Sequence, residues 1–291
     1  MALLLSVCAL GMWVVDYTRM PDDRLALLFT QLAVVVNGLL LSTTLYRAKA
    51  TTHLSLLPAV LYIAAVAVFP YLRAHWQPQL LVGILLFFLL ATRDMSDTHE
   101  PNGLIFLVTL MLCLTALILP DALLCIVFLW IVVLLQGAFT FRTIVASLLA
   151  VALVSVYYIV AMYIGWADGW SFAPIYERHW LGQNQPLCVV VTVVVMLVAF
   201  LYVTGGAFRR SSYDLVSTRM MLYHVVLWGL LSAPLILIEA EKPDYMAMLP
   251  LSLSAVAGIY FLQKESETRG VTLLIYLIGS VALYLWLVLS L

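Results

Sequence analysis

The sequence predicts an all-α, polytopic transmembrane helical bundle, and three observations carry that prediction. Of the 291 residues, 65% are hydrophobic and 10% are charged, whereas a soluble globular domain has roughly 25% charged residues. The mean hydropathy of +1.10 reflects more apolar surface than a water-soluble fold of this size can bury. The apolar runs are continuous over about 20 residues, instead of alternating over about 10 as in a membrane barrel. Helices are therefore expected, because they satisfy their backbone hydrogen bonds within one segment.

Each predicted helix is an apolar run bounded by charged or polar residues, since crossing about 30 Å at 1.5 Å per residue needs about 20 residues. The first and fourth runs are short, and we expect Trp13 near the end of the first and Trp76 just before the fourth to act as anchors at the membrane interface. At Pro120-Asp121 we predict a tight helical hairpin, because Pro120 interrupts the hydrogen-bond ladder and Asp121 can cap the next helix. The eleven predicted crossings, in chain order, are 1–15 (before Asp16), 25–46 (between Arg24 and Arg47), 54–72 (before Arg73), 77–92 (before Arg93), 101–120 (before Asp121), 122–141 (before Arg142), 143–166 (before Asp168), 186–208 (before Arg209), 220–238 (between Arg219 and Glu239), 245–263 (before Lys264) and 270–291 (after Arg269).

The distribution of lysine and arginine among the loops predicts the orientation. Loops after even-numbered helices contain nine of these residues and loops after odd-numbered helices contain five. Because basic loops stay on the cytoplasmic side, we expect a cytoplasmic N-terminus and an outward-facing C-terminus. The longest polar connection, about residues 167–185, is too short to fold alone. Residues 1–291 are therefore predicted to form a single transmembrane domain.

Several function classes find no support in the sequence. The net charge of -1 and the missing basic stripe argue against a nucleic-acid partner, which needs cations to neutralise phosphates. The motifs GxGxxG, Walker A, HExxH, GxSxG and CxxC do not occur, so nucleotide hydrolysis and the common hydrolase chemistries are not indicated. The cysteines lie in apolar runs and are read as small hydrophobic residues. These patterns predict no metal site and no cofactor. Binding of a divalent cation by carboxylates in the loops stays an open alternative.

The first predicted external loop is acidic, with Asp16, Asp22 and Asp23 close together in the sequence. One interpretation is that these carboxylates cap the second helix, where negative charge suits a helix N-terminus. The other is a catalytic or cation-binding centre. An acidic first external loop is similar to that of membrane glycosyltransferases of the GT-C type, in which a carboxylate acts beside a polyprenyl-phosphate sugar.

The seventh loop, also predicted to face outward, is rich in aromatic and charged side chains. Aromatic faces with carboxylates commonly hold sugars, and an arginine beside a histidine can engage a phosphate. An interfacial aromatic belt predicts the same tryptophans without any ligand. The candidate substrate-binding residues in this loop are Trp170, Glu177, Arg178, His179 and Trp180.

Arg73 and His75 are predicted on the same outer side and are further candidates for phosphate contacts. The alternative for Arg73 is that it snorkels to the lipid headgroups. Inside the apolar runs, polar residues are few: His224, Asn37, Gln31 and Gln136. We interpret them as helix–helix hydrogen-bonding groups. This scarcity argues against an ion-coupled carrier, which places ionisable groups within the membrane.

Two stretches carry a resemblance to a known family. They are Leu56–Pro70, LLPAVLYIAAVAVFP, and Leu119–Arg142, which begins LPDALLCIVFLW. They resemble an uncharacterised multipass inner-membrane family of the Bacteroidota, over roughly residues 30 to 165. The resemblance implies a bacterial inner-membrane location and assigns no activity. The helix pair around Pro120 also resembles the apolar helix hairpin of GT-C enzymes, although the first external loop here, of about nine residues, is shorter than theirs.

Three hypotheses for function follow. The first is an inner-membrane protein that handles a polyprenyl-phosphate-linked sugar or another envelope precursor at the outer face, in which case it would be a lipid-linked-sugar-dependent glycosyltransferase. The second is a non-enzymatic scaffold or subunit that associates with another envelope membrane protein. The third is a carrier or flippase for a lipidic substrate, which needs a polar cavity among the helices. In each case membrane lipids are the surrounding partners.

Overall fold

The computed structural model contains helices and no strand over the residues that it describes, which confirms the all-α class. Those residues are 24–51, 54–69, 72, 75–97, 102–117, 122–135, 137, 139–165, 187–211, 216–238, 244–263, 278, 279 and 282. Within them, nine α-helices follow one another: α1 (Arg24–Arg47), α2 (Leu57–Val68), α3 (Gln77–Asp97), α4 (Asn102–Ala116), α5 (Ala122–Leu135), α6 (Phe141–Ile164), α7 (Leu187–Ser211), α8 (Val216–Ile238) and α9 (Met248–Gln263). A short 3-10 helix, Asp244–Ala247, leads into α9.

These nine helices coincide with the second to tenth predicted segments. The first segment, 1–15, lies outside the described residues, and the last, 270–291, is described only at 278, 279 and 282. In the described part of the chain, three helices are long and apolar enough to cross a membrane: Leu25–Arg47, Phe141–Tyr163 and Val190–Phe208. The chain is therefore a helical membrane protein. The count of eleven crossings and the cytoplasmic N-terminus stay predictions.

Several helices are shorter than the apolar runs that contain them, and α2 shows why. It has 12 residues and so spans about 18 Å, against a hydrocarbon thickness of about 30 Å. Pro58 lies in its first turn, where a missing N–H loses no intrahelical bond. The helix ends at Val68 because Phe69 precedes a proline, and the residue before proline disfavours the helical conformation.

The described helices divide into two compact groups, and the division falls within α3, between Leu86 and Phe87. In the first group, α9 packs against α2, α7 and α8, and α1 packs against α2. Every residue of α9 from Met248 to Phe261 is buried. The prediction of a single transmembrane domain over residues 1–291 is not tested by this grouping.

Glycines allow the helices of the first group to approach closely. A Cβ at Gly206 would lie 2.5 Å from Cε2 of Tyr260, and one at Gly258 would lie 2.7 Å from Cγ of Pro58. Both distances are far below a normal contact of about 3.5–4.0 Å between carbon atoms. These glycines therefore fix how α7 and α2 pack against α9.

Helix α1 and helix α2 are joined by a polar contact as well as by packing. The Ala59 N–H, one of the first-turn donors that lack an intrahelical acceptor, donates to Oγ of Ser42 at 3.1 Å. A Cβ at Gly38 would lie 3.2 Å from the Ala59 carbonyl oxygen, so the glycine permits this close approach. This hydrogen bond and this close approach hold α2, which carries Tyr62, against the middle of α1.

In the second group, α4 packs against both α5 and α6. Helices α4 and α5 are separate and in contact, which confirms two helices around Pro120 in place of one broken helix. Helix α6 begins with a capping box between Thr140 and Thr143 and ends at Gly165, whose φ is 78°. The glycine is a strong sequence signal for a helix end, whereas Thr143 stands where the usual capping-box signature has Glu or Gln.

Two of the four cysteines are in the described residues with their side chains, Cys113 on α4 and Cys125 on α5. Both are buried thiols outside any disulfide, with exposed fractions of 4% and 2%. The prediction that they act as small hydrophobic residues is confirmed. Cys8 and the side chain of Cys188 lie outside the described part.

Candidate functional site

A cluster of three polar side chains joins α1, α2 and α3 in the apolar interior of the first group. The polar cluster consists of Asn37, Tyr62 and Gln79. The Tyr62 hydroxyl donates to Oε1 of Gln79 at 2.7 Å. Asn37 Nδ2 donates to the Gln79 carbonyl oxygen at 2.7 Å and lies 3.4 Å from Gln79 Oε1. Three helices therefore meet at one glutamine.

The polar cluster is almost completely shielded from its surroundings. Tyr62, Gln79 and Asn37 have exposed fractions of 0%, 1% and 5%. An amide buried without partners costs free energy, so the mutual hydrogen bonds are what make the placement tolerable. The prediction that Asn37 serves helix–helix hydrogen bonding is confirmed.

The orientation of both amide groups follows from chemistry alone. Asn37 Nδ2 faces a backbone carbonyl, which can only accept, so that atom must be nitrogen. Gln79 Nε2 faces the carbonyl oxygen of Leu72 at 3.3 Å, which fixes the Gln79 amide in the same way. The carbonyl oxygen of each amide is thereby identified without ambiguity.

A groove of about 720 Å³ lies between α1 and the start of α3, and the polar cluster forms part of its wall. This volume is within the range of roughly 300–1,000 Å³ typical of ligand pockets. We call this feature the groove. The described residues that line it are Leu25, Ala26, Phe29, Leu32, Ala33, Val36 and Asn37 from α1, and Trp76, Gln79, Leu80 and Gly83 from α3 and the residue before it.

The rim of the groove is apolar and open to the exterior of the helix group. Leu25, Phe29 and Leu32 are 74%, 67% and 61% exposed, and their spacing of three to four residues places them on one side of α1. Trp76 is 40% exposed on the other side. The helix that carries Leu25, Phe29 and Leu32 is long and apolar enough to cross a membrane.

The electrostatic character of the groove is neutral over the residues that the structure describes. None of the described lining residues is charged, and the polar side-chain groups are the amides of Asn37 and Gln79 and the indole N–H of Trp76. An unpaired charge is costly to bury in such a wall. The arrangement suits an apolar chain that makes one or two hydrogen bonds at the inner end, as is usual for small-molecule sites.

Almost all of the site residues predicted from the sequence lie outside the described part of the chain. This holds for the three carboxylates Asp16, Asp22 and Asp23, and for Arg73. It also holds for the whole of loop seven, with Trp170, Glu177, Arg178, His179 and Trp180. Their proposed roles stay predictions.

His75 is the one predicted site residue within the described ranges. It is half-buried and immediately precedes Trp76, which lines the groove. The chain therefore places this imidazole close to the opening. Among the described residues, no group of three or more histidine, cysteine, aspartate or glutamate side chains is arranged to hold a metal ion.

Gln79 is the functional residue that the sequence reasoning missed. It lies two residues after the start of α3, beside Gln77 and Pro78, where polar residues are ordinary at a helix end. The Gln79 amide becomes buried only because α3 packs against α1 and α2. Asn37 did carry a signal, because a lone amide within a long apolar run needs a partner.

A second cavity, of about 260 Å³, lies in the second group of helices. Its described lining is mostly apolar, with the Ser155 hydroxyl and the Tyr158 ring from α6 facing Cys113 and Ala116 of α4 and Leu123 of α5. It is smaller than the groove and has no shielded amide cluster in its wall. We therefore treat the groove as the candidate site.

Comparison with known proteins yields no relative. No protein-family model matches the chain, and no curated protein and no solved structure matches it. The argument for function consequently depends on the groove and the polar cluster themselves.

Proposed function

We propose that this membrane protein binds the apolar chain of a lipidic ligand in the groove, as part of handling a lipid-linked envelope precursor. The observation that supports the proposal is an apolar channel, open along α1, with a shielded amide cluster in its wall. The apolar rim formed by Leu25, Phe29 and Leu32 provides contacts for a hydrocarbon chain. Asn37 and Gln79 provide the polar contact.

A purely structural role explains the groove less well. A helix that only packs has no need of an opening of about 720 Å³, because native interiors are filled to crystal-like density. In a membrane, a lipid chain supplies the missing packing atoms. The third hypothesis from the sequence, a carrier or flippase for a lipidic substrate, requires a polar cavity among the helices, whereas the described lining of the groove is mostly apolar.

The wider role is a proposal that extends to residues outside the described part. In the leading hypothesis the protein is in the bacterial inner membrane and acts on a polyprenyl-phosphate-linked sugar, with Asp16, Asp22 or Asp23 as the acidic centre and Arg178 and His179 near the donor phosphate. Lipid binding in the groove would serve that reaction or transport of the same precursor. The two roles are separated by the experiments below.

Native mass spectrometry of the purified protein tests lipid binding. The protein is extracted in a mild detergent and its bound lipids are counted as defined mass adducts. We expect a lipid adduct on the wild-type protein. In an Ala33→Phe variant the added ring occupies the groove, and we expect an adduct occupancy at least about tenfold lower, equivalent to ~1.4 kcal/mol of binding free energy.

The matched control is Ala152→Phe, which adds the same ring to an exposed position on α6. We expect this variant to retain the lipid. If the Ala33→Phe and Ala152→Phe proteins carry the same lipid occupancy, or if the wild-type protein carries none, the groove is not a lipid site.

The enzymatic part of the proposal has its own test. Asp16, Asp22 and Asp23 are replaced by asparagine, singly and together, and the envelope glycans of the cells are measured. Loss of a glycan in at least one variant supports a reaction, because asparagine keeps the size and removes the charge. Unchanged glycans in every variant, including the triple one, remove the enzyme claim and leave lipid binding untouched.

A further inference from the structure

We infer that the end of α1 carries a headgroup site for an anionic membrane phospholipid, formed by the side chains of Arg47 and Lys49. Neither residue lines the groove, so this inference does not depend on the proposed function. Three observations support it: where α1 ends, how the chain turns there, and which side chains the turn exposes.

The length of α1 brings its last turn to the level of the lipid headgroups. The helix has 24 residues and spans about 36 Å, whereas the hydrocarbon core of a bilayer is about 30 Å thick. The segment Leu25–Arg47 is long and apolar enough to cross a membrane. Tyr46 is 46% exposed, and tyrosine is enriched at the membrane interface. A crossing by this helix therefore carries Arg47 out of the hydrocarbon and into the headgroup layer.

The chain leaves α1 through a left-handed turn at Lys49. The Lys49 N–H donates to the Tyr46 carbonyl oxygen at 2.9 Å. The Ala50 N–H donates to the Leu45 carbonyl oxygen at 3.0 Å. With a φ of 56° at Lys49, these two bonds form a Schellman motif, in which glycine is the usual left-handed residue. A lysine therefore occupies a position where the backbone conformation favours glycine.

The turn directs small side chains into the protein and cationic side chains away from it. Ala48 and Ala50 are buried, with exposed fractions of 3% and 2%, whereas Arg47 and Lys49 are exposed. The Cα atoms of these two cationic residues are at most about 7.6 Å apart, because consecutive Cα atoms are separated by about 3.8 Å. Both side chains are long, so their charged groups can contact one phosphate together.

A lipid phosphate suits this pair of cations. An arginine guanidinium forms paired N–H···O hydrogen bonds with phosphate oxygens, and a lysine ammonium adds a compact positive charge. Attraction to the carbonyl end of α1 explains Arg47 by itself, since Arg47 lies in the last turn and this attraction falls off beyond that turn. Lys49 lies two residues further along the chain. Contact with an anionic headgroup is the role that uses both cations.

Photoreactive phosphatidylglycerol and phosphatidylcholine with identical diazirine-bearing chains test this site. The second lipid carries the same phosphate together with a compensating ammonium group. Each is titrated against the full-length protein in nanodiscs of neutral lipid, and labelling of residues 43–51 is quantified by mass spectrometry. We expect phosphatidylglycerol to label this segment at more than about tenfold lower concentration, because each cation near an anionic headgroup contributes about fivefold in affinity.

Substitutions connect the labelling to the two cations. Arg47→Gln and Lys49→Gln should each weaken phosphatidylglycerol labelling about fivefold, and the double variant more than about tenfold. Lys49→Arg keeps the charge and should label like the wild type. The control is Arg142→Gln, which changes an exposed arginine at the start of α6 and should leave the labelling of residues 43–51 unchanged.

Lys49→Gly distinguishes headgroup binding from a purely structural role of the turn. Glycine adopts a positive φ readily, so this variant should unfold at a higher temperature than the wild type in a neutral detergent. Its phosphatidylglycerol labelling should still weaken about fivefold. Loss of the fold cannot produce these opposite changes. Unfolding of Lys49→Gly at a lower temperature would contradict the left-handed turn and the site that depends on it.

The remaining outcomes decide between a lipid site and its alternatives. Equal labelling by the two lipids in the wild-type protein, or a preference for phosphatidylglycerol that survives in the double variant, overturns the inference. Displacement of the phosphatidylglycerol label by millimolar inorganic phosphate also overturns it, because the site would then take a free phosphate. None of these results changes the test of the groove, which uses Ala33→Phe.

Discussion

The contact between Gly206 and Tyr260 offers a sharp test of the packing between α7 and α9. An alanine at position 206 would place its Cβ 2.5 Å from Cε2 and 2.9 Å from Cδ2 of the Tyr260 ring. Tyr260 is itself buried, with an exposed fraction of 7%. The ring has little free space to enter, so relief of the clash requires the two helices to separate.

The neighbouring residue supplies an internal reference. Gly205 lies on the same helix, and an added Cβ there meets no atom within 4 Å. Both substitutions change the helix propensity by the same amount, about 1 kcal/mol in favour of alanine. Subtracting one variant from the other cancels that contribution and leaves the clash. Overpacking of a filled interior costs about 1–3 kcal/mol, so Gly206→Ala should be less stable than Gly205→Ala by that amount.

The assay is reversible unfolding in mixed micelles with increasing SDS, followed by tryptophan fluorescence. A third variant combines Gly206→Ala with Tyr260→Leu, which removes the ring that the methyl group meets. In a double-mutant cycle the two changes should compensate each other, because they alter the same contact.

If Gly206→Ala and Gly205→Ala unfold at the same SDS concentration, the close packing of α7 against α9 is wrong. The same holds if the double variant shows no compensation. A difference of less than about 0.5 kcal/mol would be within the usual error of additivity and would count as equality.

Three further predictions concern the polar cluster and the ends of α6. Gln79→Leu removes the acceptor of the Tyr62 hydroxyl and should destabilise the protein by about 1–3 kcal/mol, the cost of leaving a buried group unsatisfied; unchanged unfolding in SDS would show that the polar cluster contributes no stability. Thr140→Ala removes the side-chain acceptor of the Thr143 N–H and should cost about 1 kcal/mol and raise amide exchange in the first turn of α6, whereas Thr140→Ser should keep both near wild type. Gly165→Ala forces a side chain into a backbone with φ of 78° and should cost about 1 kcal/mol; a stabilised variant would contradict the left-handed C-cap.

The helical class and most helix positions were predictable because they depend on local composition. Apolar runs broken by charges gave nine segments that match α1 to α9, and the separate helices around Pro120 were expected from one proline and one aspartate. Helix lengths were less predictable. The run at 54–72 contains a helix of only 12 residues, because Pro58 lies at its start and a proline follows Phe69 at its end. The spacing of apolar residues does not show the effect of either proline.

The candidate site was only half visible in the sequence. Asn37 could be singled out because an amide within an apolar run needs a hydrogen-bonding partner. Its partner Gln79 is 42 residues away and looks like an ordinary residue at a helix end. The carboxylates and the aromatic loop that the sequence favoured lie outside the described residues, so their roles depend on the glycan experiment.

The sequence by itself determined that this chain is helical and belongs in a membrane, because hydrophobicity and charge spacing act on each segment alone and need no knowledge of neighbours. Only the tertiary structure decided that Asn37, Tyr62 and Gln79 share one cluster and that the groove opens beside it. Those features depend on which helices touch, and that is set by close approaches such as Gly38 against Ala59, where the shapes of two distant segments must fit.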